Sequence, residues 1–258
     1  MIEKHEFRGE HDGLSLLVLA AVHGNETAGT QACRRIIDEI ERGALALKNG
    51  KMTLVPVCNP EAYRRDVRNI DENLNRVMTV HDNPRSYEQK LANEICPLIR
   101  EHRFTLDLHS THCVGDVPFA FCDYPDVYNQ KLIDALPVDF VLEGWPDIYG
   151  RQTEIRDFST EWCAHAYGNT ATTLECGYHR DPQAAELAYQ AIVNALSAFG
   201  MVDLPLPATR AKKHIRMENY VLKSKEGRLC RSYKHLDPVC KGERIALYDD
   251  GEALYALS

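Results

Sequence analysis

Basic charge is scarce relative to acid: 30 Lys and Arg against 38 Asp and Glu leave a formal net charge of −8 on 258 residues. A nucleic-acid binder should carry a basic face, so that class of partner is not expected. No apolar run approaches the roughly 18 residues that suggest a membrane span. The opening Met1-Ile2-Glu3-Lys4-His5-Glu6 has none of the layout of a signal peptide. The nine cysteines include no CxxC pair and no disulfide-like rhythm, which points away from a secreted disulfide scaffold. Their odd number fits reduced thiols, and the expectation is a cytoplasmic protein with no membrane partner. Internal repeats and low-complexity tracts are also missing, which excludes repeat architectures. What remains is an ordinary globular composition, 44% hydrophobic and 26% charged, long enough to bury a sizeable core.

The chain is organised around Ala20-Ala21-Val22-His23-Gly24-Asn25-Glu26-Thr27, where an apolar run stops at a polar turn. Residues 14–22 read as a strand buried on both faces, and residues 27–43 carry apolar side chains at helical spacing. His23 therefore ends a central strand and Glu26 opens the following helix, where open α/β sheets hold their ligands. A His and a Glu three residues apart offer an imidazole nitrogen and a carboxylate to one divalent metal, with Gly24 keeping the turn between them unobstructed. The competing reading is a surface turn whose Glu only favours a helix N-terminus.

Residues 51–58 form a second apolar run closed by Asn59-Pro60, so strand, helix and strand make a βαβ unit and imply a mostly parallel sheet. Residues 61–80 are a long segment dense in Arg, Asp and Asn. Such a loop inside a compact domain is functional or disordered, and the interleaved Val67, Ile70, Leu74 and Val77 argue against disorder. Residues 86–102 have the periodicity of an amphipathic helix, with Pro97 expected to kink it or shift its end. Residues 104–109 are another buried strand, on which Asp107 and His109 share a face. Further strands are expected at 117–122, 138–142 and 170–175, helices at 126–136, 159–167 and 182–199, and a loop over a cleft at 144–157. After the linker Leu204-Pro205-Leu206-Pro207-Ala208 the texture changes to short strand-like pieces separated by turn signals. The expected organisation is an α/β unit over 1–203 and a small all-β unit over 204–258.

Two His and one carboxylate make a three-ligand zinc site with a fourth position open for water, the pattern of catalytic rather than structural zinc. Zinc lowers the pKa of its bound water, and a further carboxylate is needed to carry the proton to the leaving amine. Glu175, emerging from a buried strand beside Cys176 and Gly177, is the candidate.

Four motifs occur in order: His23-Gly24-Asn25-Glu26; Asn59-Pro60 with Arg68-x-x-Asp71-x-x-Leu74-Asn75-Arg76; Asp107-Leu108-His109-Ser110; and Leu174-Glu175-x-Gly177. On these the chain resembles, over nearly its whole length, the succinylglutamate desuccinylase and aspartoacylase family of zinc carboxypeptidase-like hydrolases. The resemblance implies a mixed, mostly parallel sheet with helices on both faces and one Zn2+ held by His23, Glu26 and His109. It implies that Glu175 is the general acid/base and that Arg68 polarises the scissile acyl carbonyl. Asn75 and Arg76 would grip the α-carboxylate of the amino acid, for which a guanidinium fork is well matched. The implied reaction is hydrolysis of a small N-acyl amino acid to a carboxylate and a free amino acid.

Family members acting on acyl-aspartate or acyl-glutamate resemble one another in an Arg ten positions before the catalytic Glu. An ungapped reading puts His165 there, a poorer clamp for a second carboxylate. N-succinylglutamate and N-acetylaspartate are therefore not expected to be the best substrates. Members also usually continue beyond the position of Ser258, so the expectation is a short member or a truncated chain, with Tyr233, Tyr248 or Tyr255 as the substrate-assisting Tyr. Asp107 is expected to orient His109 or to be an ordinary buried Asp. Two other readings stand beside the first: a metallocarboxypeptidase-like enzyme cutting a small peptide, and a catalytically silent zinc or ligand-binding protein. A homo-oligomer is left open.

Overall fold

Residues 16–20 are wholly buried, and their alternate side chains serve two different cores. Leu16, Val18 and Ala20 pack into one and Leu17 and Leu19 into the other, as the two-residue repeat of a strand requires. A strand apolar on both faces belongs inside a sheet covered twice by helices. The computed structural model, which describes residues 2–151, 158–206, 208, 210–221 and 225–257, has that architecture.

In chain order, β1 (His5–Arg8) and β2 (His11–Ala20) lead to α1 (Ala28–Glu41) and β3 (Asn49–Val55). The polar segment opens with α2 (Pro60–Arg65) and closes with a 3-10 turn at Leu74–Arg76, before α3 (Tyr87–Glu101) and β4 (Phe104–Thr111). Next come β5 (Phe119–Phe121), α4 (Val127–Ala135), β6 (Phe140–Glu143), α5 (Trp145–Gly150) and α6 (Thr160–Ala166). They are followed by β7 (Thr170–Tyr178), α7 (Pro182–Ala198) and β8 (Lys213–Arg216). β9 (Gly227–Leu229), β10 (Arg244–Tyr248) and β11 (Ala253–Tyr255) form a separate antiparallel sheet.

The large sheet has eight strands in the order β1-β3-β2-β4-β7-β5-β6-β8. β3, β2, β4 and β7 are mutually parallel, as are β5, β6 and β8, whereas β1 on β3 and β5 on β7 are antiparallel. α1, α4 and α7 cover one face, and α3 and α6 the other. The fold is thus the expected mixed, mostly parallel sheet with helices on both faces, plus a small C-terminal all-β sheet. From β2 the chain builds first to one side, through β3, and then to the other, through β4. The carboxyl ends of β2 and β4 therefore flank the switch point, where such sheets open a crevice.

Two local expectations change, and α3 keeps its expected span. Residues 145–150, expected in a loop, form α5, while residues 152–157 of that loop lie outside the described residues. α3 runs through Pro97 to Glu101, with Ser86 as its N-cap. β8, whose residues were expected to belong with the small sheet, pairs parallel with β6 at the edge of the large one. We propose 1–203 and 204–258 as the two units of organisation, with β8 as the strap by which the second joins the first. Among the described residues no helix is long and apolar enough to cross a membrane.

Candidate active site

β2 ends at Ala20, and the next residue, Ala21, has a φ of 46°, in the left-handed region that Ala adopts only under constraint. Cys58 and Asn59 fix it there by donating their backbone N–H groups to the carbonyls of Ala20 and Ala21. The break turns His23 and Glu26 into the protein, where each is only 3% exposed. Gly24 between them is required by close approach: a Cβ there would lie 2.2 Å from the backbone of α2 at Ala62 and Tyr63. β4 brings His109 to the same point from the neighbouring strand.

The donor atoms of His23, Glu26 and His109 all lie within 4.8 Å of one another. His23 Nδ1 is 2.9 Å from Glu26 Oε1, and His109 Nδ1 is 2.9 Å from Glu26 Oε2 and 3.1 Å from His23 Nδ1. The opposite nitrogen of each ring is occupied. His109 Nε2 sits 2.9 Å from Asp107 Oδ2, and His23 Nε2 2.9 Å from Asn73 Oδ1. Both acceptors select the tautomer whose Nδ1 lone pair faces the cluster, as metal-bound imidazoles require. Asp107 is in turn held by the Thr160 hydroxyl at 2.6 Å.

The electrostatics favour a cation at this point. Burial works to raise the Glu26 carboxyl, but His23 and His109 outweigh it and hold Glu26 well below the usual range. Burial lowers His23. Burial also works to lower His109, yet Asp107 and Glu26 raise it well above its ordinary value. Two buried carboxylates thus draw positive charge into the cluster, the charge a divalent ion would supply. Two imidazoles and a carboxylate are also the donor set of catalytic zinc. The residues fit the metal.

His23, His109, Arg68, Asn75, Arg76 and Glu175 line one cavity of about 190 Å³. Arg68 Nη1 donates to Glu26 Oε1 at 2.8 Å, and its backbone carbonyl accepts from Gly24 N. Asn75 Oδ1 accepts from Thr160 N at 2.9 Å, and Arg76 Nη1 donates to the Asn75 carbonyl at 2.6 Å. Glu175 stands opposite His109 in the β4–β7 register. Its Oε2 is buried with no hydrogen-bond partner among the described residues. Burial, opposed by His109 and Arg68 and reinforced by Glu26 and Asp107, pushes this carboxyl up to about 7.

His165 is not brought to the cavity: it is exposed on α6 and stacks on Tyr124 with ring centroids 4.3 Å apart. The rest of the lining comes from Phe121, Asp123, Trp145, Ser159, Glu161 and Thr173. None of these was singled out from the sequence as a site residue. Glu161 is buried, with Oε1 accepting from Thr173 N at 2.8 Å and Oε2 from Asp123 N at 3.3 Å. Burial first, then the Asp123 charge, raises it well above the ordinary value. Ser159, at the start of the helix expected at 159–167, caps α6 by accepting from Trp162 N.

Fold and site define a class: an α/β protein with a candidate two-histidine, one-carboxylate metal centre at its switch point and a second carboxylate beside it. The family model for the succinylglutamate desuccinylase/aspartoacylase catalytic domain matches residues 12–199. The chain belongs to this family. A succinylglutamate desuccinylase of Vibrio vulnificus (strain YJ016) is 26% identical over 200 residues, covering 74% of this chain and 55% of that protein. One from Pseudomonas fluorescens (strain Pf-5) is 36% identical over 85 residues, 33% of this chain and 25% of that one. The chain spans about half the length of the first curated relatives it matches. Among solved structures, a succinylglutamate desuccinylase/aspartoacylase from Rhodobacter sphaeroides superposes with a TM-score of 0.75 at 18% identity, covering 98% of this chain and 80% of that one. A product-bound ectoine utilization protein from Ruegeria pomeroyi gives 0.76 at 20% identity, covering 96% and 76%. At these identities the structural likeness speaks to the fold.

Proposed function

We propose that this chain is a zinc-dependent amidohydrolase that releases a free amino acid from a small N-acyl conjugate. The observation that carries the proposal is the Glu175 carboxylate, whose buried Oε2 has no hydrogen-bond partner among the described residues, in the same cavity as His23, His109, Arg68, Asn75 and Arg76. His23, Glu26 and His109 would hold the ion. Zinc, when bound, supplies Lewis acidity to the acyl oxygen and acidifies a water. Glu175 takes the proton from the attacking water and returns it to the leaving amine. Arg68 keeps one guanidinium nitrogen on Glu26, and its remaining donors serve the acyl oxygen as charge develops there. Asn75 and Arg76 bind the α-carboxylate, with Asn75 fixed by Thr160 so that its amide nitrogen is left for the substrate.

The charges of the lining bear on the substrate. Among the described residues its guanidinium groups are Arg68 and Arg76, both already assigned, and its further acidic groups are Asp123 and Glu161. A second substrate carboxylate would find no unassigned guanidinium among the described residues of this lining and two acids in its place, so neutral or basic amino acids are the preferred leaving groups. This preference rests on the lining having, among the described residues, no guanidinium beyond Arg68 and Arg76, and not on His165, which stands outside the cavity. A cytoplasmic setting is part of the proposal and is supported by nine cysteines that are all free thiols.

The test is to incubate zinc-loaded protein with a panel of N-acetyl and N-succinyl amino acids and short peptides, scoring released amine, with Glu175→Ala alongside. Turnover of acyl-amino acids that vanishes in Glu175→Ala at unchanged zinc content supports the proposal. Cleavage of peptides alone would make the chain a carboxypeptidase-like enzyme, and zinc binding without any turnover would make it a silent binder. Preferred turnover of acyl-aspartate or acyl-glutamate would overturn the substrate preference.

A further inference from the structure

Glu88, in the first turn of α3, is fully buried at the centre of a set of neutral donors. Its Oε1 accepts from Ile70 N at 2.7 Å and Asn59 Nδ2 at 3.1 Å, and its Oε2 from Asp71 N at 3.1 Å and Glu72 N at 3.2 Å. These donors fill the roughly four lone-pair sites of a carboxylate. Three successive backbone N–H groups form an anion-binding nest, and here the protein's own carboxylate occupies it.

The contact is reciprocal. Asp71 Oδ2 accepts from Tyr87 N at 2.7 Å, Glu72 Oε1 accepts from the Ser86 hydroxyl, and the Tyr87 hydroxyl accepts from Glu61 N at 3.2 Å. The loop thus places its N–H groups on the helix carboxylate, and the helix places its first-turn donors on the loop carboxylates. The segment gripped in this way, residues 70–72, lies between two residues that reach the metal cluster. Arg68, two positions before it, bonds Glu26, and Asn73, one position after it, bonds His23.

We propose that Glu88 is a positioning residue: through its clasp on residues 70–72 it sets where Arg68 and Asn73 meet the His23–Glu26 pair. The catalytic part of this inference rests on the role proposed above for Arg68; the structural part does not. With the gripped segment fixed two positions after it, Arg68 meets the acyl oxygen already oriented, and a shift of about 1 Å in such a group costs on the order of 100-fold in rate.

The experiment compares Glu88→Gln and Asp71→Ala, each alone and combined with Arg68→Ala, in the zinc-loaded full chain. Glu88→Gln keeps the shape and removes one acceptor. It is expected to bind zinc and to lose about 10- to 100-fold in kcat with KM changed less than about threefold. In the Arg68→Ala background the same change should cost less than about threefold, because, of the two groups it positions, the one that meets the acyl oxygen is gone. Asp71→Ala alters an exposed residue and keeps the proposal testable if Glu88→Gln does not fold; about 3- to 10-fold with the same background dependence is expected. Equal losses in both backgrounds overturn the proposal. So does an equal loss in Leu98→Ala, a core change in the same helix, at matched Tm. Amide hydrogen exchange of residues 68–73 supplies a readout independent of turnover. Faster exchange there in either variant, with β4 unchanged, supports the clasp. Unchanged exchange overturns it, even if no N-acyl amino acid is ever hydrolysed and the proposed function fails separately.

Discussion

Burial lifts the Glu175 carboxyl to about 7, from a reference value of 4.5. In the metal-free protein the folded state therefore binds this proton over a pH range in which the unfolded chain has already lost it. The sign follows: stability is insensitive to this group below about pH 4.5 and falls as pH rises from there to about 7. Glu175→Gln removes the buried charge. The metal-free variant should be more stable than wild type at pH 8 by up to about 3 kcal/mol, a gain that shrinks as pH is lowered through the same window. Thermal unfolding of both proteins across pH 4.5–8 checks it; a constant difference would mean that Glu175 titrates normally. Asp107 makes the complementary case. It holds the far nitrogen of His109, so Asp107→Asn should weaken zinc binding by about 10- to 100-fold, read by competition with a chelator. Asp107 was legible in the sequence because strand periodicity puts it on the face of His109. Thr160, which holds Asp107, was not: that bond exists only because α6 packs over β4, and nothing near Thr160 in the chain announces it.

Elements announced themselves where a local signal sufficed. The buried run of β2 followed by His23-Gly24-Asn25-Glu26, the periodicity of α3 and the long helix α7 are readable from a window of about a dozen residues. β8 was assigned to the wrong neighbours because Lys213–Arg216 is a short, mostly exposed strand, and its partner β6 lies some seventy positions earlier, as in Val141 on His214. α5 was missed because Trp-Pro-Asp beside a glycine carries turn chemistry as readily as a helix start. Gly24 belongs at this scale, since what it permits is the approach of α2 to the turn after β2. Gly24→Ala would push a methyl group into the backbone at Ala62 and Tyr63, so α2 has to move. Arg68 should move with it, because its carbonyl accepts from Gly24 N. A loss of about 1–3 kcal/mol is expected, the usual range for overpacking, together with weaker zinc binding. Thermal unfolding and a zinc titration read the two effects; an unchanged Tm with full affinity would show that α2 yields without cost.

At the scale of the molecule, the metal centre and the small sheet bear on the same measurement. The three ligands come from β2's end and from β4, the strands on either side of the switch point, so bound metal ties together the middle of the large sheet. Anything that binds only the folded state stabilises it by mass action, about 4.1 kcal/mol at a free concentration 1,000 times Kd. For a chain of this size that is a Tm shift of about 8–16 °C. The three-stranded sheet has no core of its own to unfold around: β9 is exposed throughout, and β10 and β11 are at best half-buried. It leans on the main body through β8 and through His235, whose Nδ1 accepts from Val117 N at 3.3 Å and whose ring lies 5.2 Å from that of Phe119. So few residues cannot hold a sheet in isolation. Calorimetry should therefore show one unfolding transition, shifted down as a whole when a chelator strips the metal and indifferent to the chelator in Glu26→Gln. A second transition that ignores zinc would mean that the small sheet folds by itself, and that β8 is a tether rather than part of one cooperative unit.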